Sequence, residues 1–261
     1  MLRAVIFDYG NTLIGIDPAT PSARTDYADV VARPGAERLA AYLEAQSLLG
    51  AGGAAERARF AERFLEIREA NRNAAEVNGD EITAEASLAE ALAAVGAPAA
   101  SAAALREAVA IHFSAEEERI VALDGAVETL RTLRAAGVRI GLLSNATDGR
   151  YVERVAVGLG MRPYFDPFVV SADIGVRKPR AEAFHAVLDR WPLPPGEVAM
   201  VGDSLYHDVG GANRLGLRSI HYTQFANPFD PPHAGAIAPW GVAASHDALR
   251  RLLAPHLIPA R

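Results

Sequence analysis

The stretch that decides the fold is AVIFDYGNT, residues 4–12. It begins with four consecutive apolar residues, β-branched and aromatic types among them, and turns polar at Asp8. A short apolar run of this composition, ended by a polar residue, predicts a buried strand. We therefore expect residues 3–8 to form an interior strand of a sheet, with Asp8 at its carboxyl end.

Further along the chain, apolar strands alternate with helical segments between residues 124 and 221. Such alternation predicts an α/β protein with a doubly wound, Rossmann-like parallel sheet that helices cover on both faces. A proline-rich tail from Asn227 predicts an irregular loop before a last helix near 247–253. The strands are predicted near 138–143, 165–170, 198–201 and 218–221, and the helices near 124–136, 148–159, 180–191 and 206–215.

The segment between Pro34 and Phe113 differs from the rest of the chain in composition and in the spacing of its apolar residues. Its Ala, Leu, Glu and Arg residues recur at helical spacing, which predicts four helices, with Thr83 and Ser101 as N-caps of two of them. This segment would leave the α/β domain after its first strand and return to it before the second. We expect an α/β core of residues 1–16 and 122–261, and an inserted all-helical domain of residues 17–121.

Composition excludes several classes of function. A net charge of -6 disfavours nucleic acid as a partner, because phosphate backbones are bound by surplus Lys and Arg. The absence of cysteine excludes disulfides, thiol catalysis and thiolate metal sites. The longest charge-free apolar stretch, 91–105, is broken by Gly96 and Pro98, so no membrane segment is predicted. The amino terminus lacks a signal-peptide core, and we expect a cytoplasmic protein that binds small molecules or protein partners.

Polar residues follow the predicted strands at the point where each strand ends. Asp8 ends the first strand, Ser144 and Asn145 end the second, and Asp203 follows a later one, with Asp208 five residues beyond. Because the carboxyl ends of parallel strands meet at one edge of the sheet, we expect these residues to converge. Neighbouring carboxylates repel each other unless a cation joins them, and hard oxygen ligands are those that Mg²⁺ prefers. The sequence therefore predicts a magnesium site at this edge.

Lys178 is the only lysine among 26 basic residues; the other 25 are arginine. A bias this strong favours arginine wherever either residue serves. A retained lysine indicates a need for a compact ammonium that approaches a carboxylate and a phosphate together, although a chance surface lysine is the alternative. Together with Ser144 and neighbouring backbone N–H groups, Lys178 could hold an anion.

In this order the motifs resemble those of the haloacid dehalogenase-like (HAD) hydrolase superfamily. The family pattern Asp-x-Asp-x-Thr corresponds to residues 8–12, its strand-end Ser/Thr to Ser144, its lysine to Lys178, and Gly-Asp-x-x-x-x-Asp to residues 202–208. The resemblance implies that the helical insert is a C1-type cap. Relatives with such a cap include dimers, so the resemblance is compatible with a homodimer.

What the resemblance implies chemically is a Mg²⁺-dependent phosphatase of a small phosphorylated metabolite. Asp8 would attack phosphorus to give an aspartyl-phosphate, which water then hydrolyses. Lys178 would neutralise Asp8 and the phosphoryl group, and Ser144 would assist. The implied metal ligands are Asp8, the carbonyl of Gly10, Asp203 and Asp208, and the implied substrate-binding residues are Thr12, Ser144, Asn145 and Lys178.

The first motif departs from the family pattern at Gly10. Phosphatases of this family carry at that position an aspartate that acts as general acid and base, and such a group contributes about 10²- to 10⁴-fold. We expect efficient turnover only for good leaving groups, or with an acid from elsewhere: the substrate, or Asp17, Asp26, Glu66 or His112 of the insert. Two alternatives stay open. One is a protein that binds phosphometabolites or a partner with little turnover, and the other is a dehalogenase-like C–X hydrolase.

Overall fold

The computed structural model describes residues 1–17, 28–50, 52–225, 227 and 230–257. The chain divides into two compact units. The first consists of Met1–Gly15 and Val121–Arg261, and the second of Ile16–Ile120. Asp26, one of the acids considered above, lies outside the described residues.

The strands of the described residues are β1 (Ala4–Phe7), β2 (Ile14–Ile16), β3 (Ile120–Ala122), β4 (Arg139–Ser144), β5 (Phe168–Val170), β6 (Val198–Gly202), β7 (Arg218–Tyr222) and β8 (Gly241–Ala243). The first unit is built on a parallel sheet of six of them, in the order β5-β4-β1-β6-β7-β8. The other two, β2 and β3, pair with each other.

The second unit is helical, as predicted. Its α-helices are α1 (Arg33–Ala45), α2 (Gly53–Asn78), α3 (Ala84–Ala94) and α4 (Ala102–Glu117), and a π-helical turn, Ala28–Ala32, leads into α1. Thr83 and Ser101 accept hydrogen bonds from the backbone N–H groups of Ala86 and Ala104, which confirms them as N-caps. The helices of the first unit are α5 (Ala126–Ala135), α6 (Gly149–Gly158), α7 (Ser171–Ile174), α8 (Ala181–Leu188), α9 (Gly211–Arg214) and α10 (His246–Leu253).

The core of the first unit lies on both faces of β1. Ala4 and Ile6 belong to a cluster with Phe184 and Val187 of α8, and the alternate residues of β1, Val5 and Phe7, are equally buried. A strand buried on both faces is what the apolar run predicts, and the doubly wound α/β fold is confirmed. Since the chain adds β4 and β5 on one side of β1 and then β6 to β8 on the other, the strand order reverses at β1. Ligands bind at such a reversal, beyond the carboxyl ends of the strands.

The structure differs from the sequence prediction in several short elements. The strand predicted over 165–170 is regular only from Phe168, although the Asp166 N–H and the Pro167 carbonyl already bond to Ile140 and Leu142 of β4. The helix predicted over 206–215 is a π-helical segment, Leu205–Gly210, followed by α9. The predicted last helix is confirmed as α10, and the tail before it contains a short 3₁₀-helix, Pro232–Ala236, and the edge strand β8, which the sequence did not predict.

Within the described ranges, no helix combines the length and the apolar character that crossing a bilayer requires.

Candidate active site

The register of β1 brings the strand ends together. Phe7 pairs with Leu142 of β4 on one side and with Val201 of β6 on the other. The backbone N–H of Asp8 donates to the carbonyl of Val201 across 2.9 Å. Asp8 therefore lies between the end of β4 and the end of β6, where the sequence predicts the site.

Lys178 joins two carboxylates in this site. Its ammonium lies 2.6 Å from Asp8 Oδ1 and 2.7 Å from Asp208 Oδ1, and the residue is only 2% exposed. Burial alone would lower the pKa of Lys178, but the charges of Asp208 and Asp8 raise it above its usual value. The one lysine of the chain is thus a buried, charged member of the site, and the alternative of a chance surface lysine was wrong.

Asn145 holds the backbone of Lys178 in place. Its side-chain amide donates to the carbonyl of Lys178 across 2.9 Å, and its Oδ1 accepts from the N–H of Lys178, also across 2.9 Å. Both polar atoms of this side chain are therefore engaged with the lysine backbone. The geometry favours a positioning role for Asn145 over the substrate contact predicted from sequence.

Three buried carboxylates form a compact cluster. One oxygen from each of Asp8, Asp203 and Asp208 lies within 4.8 Å of the other two. Burial, and then the charges of Asp8 and Asp208, raises the pKa of Asp203 to about 8. Burial, together with Asp208 and against the opposing charge of Lys178, raises the pKa of Asp8 to about 6. The single positive charge of Lys178 does not balance the negative charge of three ionised carboxylates. A set of oxygen ligands with this excess negative charge fits a hard divalent cation.

Two amides orient Asp203. The side chains of Asn11 and Asn227 donate to the same oxygen, Oδ2, across 3.2 and 3.1 Å. Asn11 has a φ of 53°, in the left-handed region that Asn tolerates better than most residues. Sequence reasoning missed both residues. Asn11 lies inside the first motif, and Asn227 follows the end of β7, so a census of every strand end could have found them.

Asp208 is held by the loop in which it lies. Its Oδ2 accepts from the backbone N–H of Ser204 across 3.0 Å. A Cβ at Gly202 would lie 2.1 Å from the same oxygen, so glycine is required there for the carboxylate to approach. Asp230, which sequence reasoning also missed, accepts from the N–H groups of Leu205 and Tyr206 across 2.8 and 3.0 Å and fixes the start of the following turn.

The remaining predicted residues lie at the same edge of the sheet. Thr12 is buried, and its hydroxyl donates to Asp8 Oδ2 across 3.3 Å. Ser144 ends β4 and is 5% exposed. Gly10 is exposed, and apart from its two chain neighbours no heavy atom of the described residues lies within 4 Å of a Cβ built on it. The position therefore has room for a side chain that the sequence does not supply.

The groups of the helical unit that were considered as proton donors lie in different environments. Burial and the neighbouring Arg68 lower the pKa of His112 to about 3, so its imidazole is neutral near pH 7 and does not fit the role of an acid. Glu66 is exposed and pairs with Arg63 across 3.1 Å. The backbone N–H of Asp17 donates to the carbonyl of Arg119 across 2.8 Å.

Comparison with known proteins agrees with this geometry. A family model described as haloacid dehalogenase-like hydrolase matches residues 2–216. Phosphoserine phosphatase of Thermus thermophilus is 31% identical over 119 residues, which are 46% of this chain and 47% of that protein. The pyrimidine 5'-nucleotidase YjjG of Escherichia coli is 32% identical over 146 residues, 55% of this chain and 62% of that protein. The chain thus spans about half the length of these curated relatives.

Among solved structures, the 2-haloacid dehalogenase from Pseudomonas syringae pv. Tomato superposes with a TM-score of 0.67. The two proteins are 24% identical, and the alignment covers 98% of this chain and 100% of the other. This likeness shows the fold. From the family model that covers most of its length, we conclude that the chain belongs to the haloacid dehalogenase-like hydrolases.

Proposed function

We propose that this hydrolase is a Mg²⁺-dependent phosphatase of a small phosphorylated metabolite, with Asp8 as the nucleophile. The observation that carries the proposal is the buried contact of 2.6 Å between Asp8 and Lys178, next to two further carboxylates. Phosphatase and nucleotidase are also the activities in the names of the two curated relatives.

The proposed reaction has two displacements. In the first, an oxygen of Asp8 forms a bond to phosphorus while the bond to the leaving oxygen breaks, giving an aspartyl-phosphate. In the second, water attacks the same phosphorus, which releases phosphate and restores the carboxylate. The ammonium of Lys178 and the hydroxyl of Ser144 would hold phosphoryl oxygens, because most catalysis of this reaction consists of stabilising charge on the transferred group.

The carboxylate cluster would hold the metal ion. Its ligands would be Asp8, Asp203, the backbone carbonyl of Gly10, and Asp208 directly or through water. Bound there, Mg²⁺ would supply positive charge to the phosphoryl oxygens. The raised pKa of Asp203, which reflects burial beside two other acids, supports this assignment because a cation relieves that repulsion.

Gly10 restricts the proposed substrates. Without a side-chain acid at this position, a leaving oxygen must depart as an anion or take its proton from another group. We therefore assign this chain substrates with good leaving groups, such as acyl phosphates, or ones for which the substrate, Asp17 or Glu66 donates the proton. The helical unit, in this proposal, is the cap that selects the substrate.

Gly10 also favours a second function, the binding of a phosphometabolite with little turnover. A pure binder, however, has no need of Asp8, Lys178 and both later acids together. The same acids disfavour dehalogenase-like C–X hydrolysis, because that branch of the family works without metal.

Phosphate release from acetyl phosphate and p-nitrophenyl phosphate separates these functions. We expect release that requires Mg²⁺, is abolished in Asp8→Asn, and is unchanged in the matched control Asp189→Asn, whose carboxylate is exposed and contacts His185. Equal inactivity of the native protein and Asp8→Asn on both compounds would place the binding function ahead of the phosphatase.

A further inference from the structure

A polar cavity lies in the first unit, away from the carboxylate cluster. Its volume is about 410 Å³, and its lining includes Arg134, Arg139, Arg190, Tyr164, Asp166 and Trp191. We call these six residues the basic pocket. Arg139 is the first residue of β4 and Ser144 is its last. At about 3.3 Å per residue, the strand separates the two sites by roughly 17 Å.

The wall of the basic pocket is fixed by packing. Trp191 is 6% exposed, and its indole N–H donates to the carbonyl of Asp166 across 3.2 Å. A Cβ at Gly141 would lie 2.8 Å from the Trp191 ring, so the glycine allows the indole to lie directly on β4. The pocket is therefore built on the sheet itself.

One arginine is held at the rim. Arg134 donates to the carbonyl of Pro163 across 2.5 Å, and its guanidinium carbon lies 5.6 Å from the centre of the Tyr164 ring. The neighbouring carbonyl and ring orient the group without neutralising it. Arg134 therefore keeps its charge for an additional ligand.

The charges of the basic pocket do not balance. Its lining includes three arginines and one acidic residue, Asp166. Arg139 and Arg190 are both exposed, and no carboxylate of the described ranges forms an ion pair with either of them. Many other arginines at the surface do have such a partner, as Arg3, Arg162 and Arg180 do with Glu197, Glu153 and Glu182.

This positive charge belongs to a protein whose net charge is -6. A concave surface on which one sign of charge predominates concentrates ions of the opposite sign. Guanidinium groups bind phosphate and carboxylate oxygens in pairs, and a cavity of this size accommodates a small metabolite. Tyr164 is covered by Arg134 and Trp191 is buried, so the aromatic rings offer no free stacking face for a base.

We propose that the basic pocket is a second binding site, which takes a small anion carrying a phosphoryl group through Arg139 and Arg190. The site is separate from the carboxylate cluster and does not depend on the reaction proposed for Asp8. Inorganic phosphate is the simplest probe of it.

The two tryptophans of the chain provide a local readout. In ¹⁵N-labelled protein each gives one indole N–H signal, and Trp240→Phe assigns them. We expect inorganic phosphate to move the Trp191 signal saturably and to leave the Trp240 signal in place. The double variant Arg139→Ala/Arg190→Ala should weaken the response at least about tenfold. Both side chains are exposed, and circular dichroism checks that this variant folds.

The control variant is Arg59→Ala/Arg106→Ala, which removes two exposed arginines from the helical unit and should respond like the native protein. A saturable shift that survives in Arg139→Ala/Arg190→Ala would be transmitted from elsewhere and would overturn the proposal. So would the absence of a saturable shift, or an equal shift with potassium chloride at the same ionic strength. A response to citrate as tight as that to phosphate would overturn the preference for a phosphoryl group.

Discussion

The ammonium of Lys178 lies 2.6 Å from the carboxylate of Asp8, although 170 positions separate the two residues in the chain. The contact is buried, and the same ammonium reaches Asp208. Such a position requires a compact charge, because a planar guanidinium would have to displace one carboxylate to fit between the two.

The first prediction follows from that contact. Lys178→Arg keeps the charge but should lower kcat/KM for acetyl phosphate at least about 100-fold, since the larger group misplaces Asp8. The matched control is Arg180→Lys, an exchange between the same two residue types at an exposed ion pair with Glu182, and it should leave kcat/KM unchanged. Native activity in a folded Lys178→Arg variant would contradict the role given to the lysine.

A second prediction concerns Gly10, where an added Cβ would have open space beyond its two chain neighbours. Gly10→Asp should raise turnover of an alkyl phosphate at least about tenfold and change turnover of p-nitrophenyl phosphate little, because only the poorer leaving group needs a proton. Gly10→Asn, which has the same shape and no acid, is the control. If Gly10→Asn and Gly10→Asp give the same ratio of alkyl phosphate turnover to p-nitrophenyl phosphate turnover, the missing acid does not limit the reaction.

Asn227 allows a test of how Asp203 is positioned. Its amide is one of two donors to Asp203 Oδ2, and groups that orient metal ligands contribute about 10- to 100-fold to metal affinity. Asn227→Ala should therefore raise the Mg²⁺ concentration for half-maximal activity about tenfold, and kcat at saturating Mg²⁺ should change much less. Asn213→Ala removes an amide that bonds to the carbonyl of Ala238 and the hydroxyl of Ser219, and it should leave the Mg²⁺ dependence unchanged. A fall in kcat with unaltered Mg²⁺ dependence would argue against this role.

Stability should decline in acid because of His246. This residue is fully buried, its Nε2 donates to the carbonyl of Thr12 across 2.8 Å, and burial lowers its pKa from 6.5 to about 4. His246 is therefore protonated below about pH 6.5 in the unfolded chain, whereas in the folded protein it stays neutral until about pH 4. The stabilisation is present above pH 6.5 and is lost as the pH falls, by up to about 3 kcal/mol.

Urea unfolding across this pH window measures the effect. In His246→Gln, which does not titrate, the free energy of unfolding should fall less steeply between pH 6.5 and pH 4 than in the native protein. Parallel pH profiles for the two proteins would show that His246 is not the group responsible. Other buried groups contribute equally to the two pH profiles, so the difference between the profiles reports the contribution of His246.

The sequence predicts the fold well where apolar runs are continuous. The four apolar residues before Asp8 identify β1, and the residues at the strand ends identify Asp8, Ser144, Asp203 and Asp208 as neighbours. The three-residue strands β2, β3 and β8 are too short to show a period, and their pairing depends on tertiary position.

Site residues outside the strand ends could not be predicted in the same way. Asn227 and Asp230 lie in a segment without periodicity, and their roles follow from contacts with Asp203 and Leu205, more than 20 positions earlier in the chain. The sequence predicts that Asn145 lies at the end of a strand, but only the structure shows that its amide hydrogen-bonds the backbone of Lys178.

The central claim is that Asp8 carries the phosphoryl group. Its most direct test is to quench the reaction with acetyl phosphate in acid, reduce the protein with borohydride, and find by mass spectrometry which aspartate has become homoserine. The account predicts conversion at Asp8 alone, dependent on Mg²⁺ and lost when the substrate is exhausted before quenching. Turnover of acetyl phosphate with no conversion at Asp8, or with conversion at another aspartate, would contradict it.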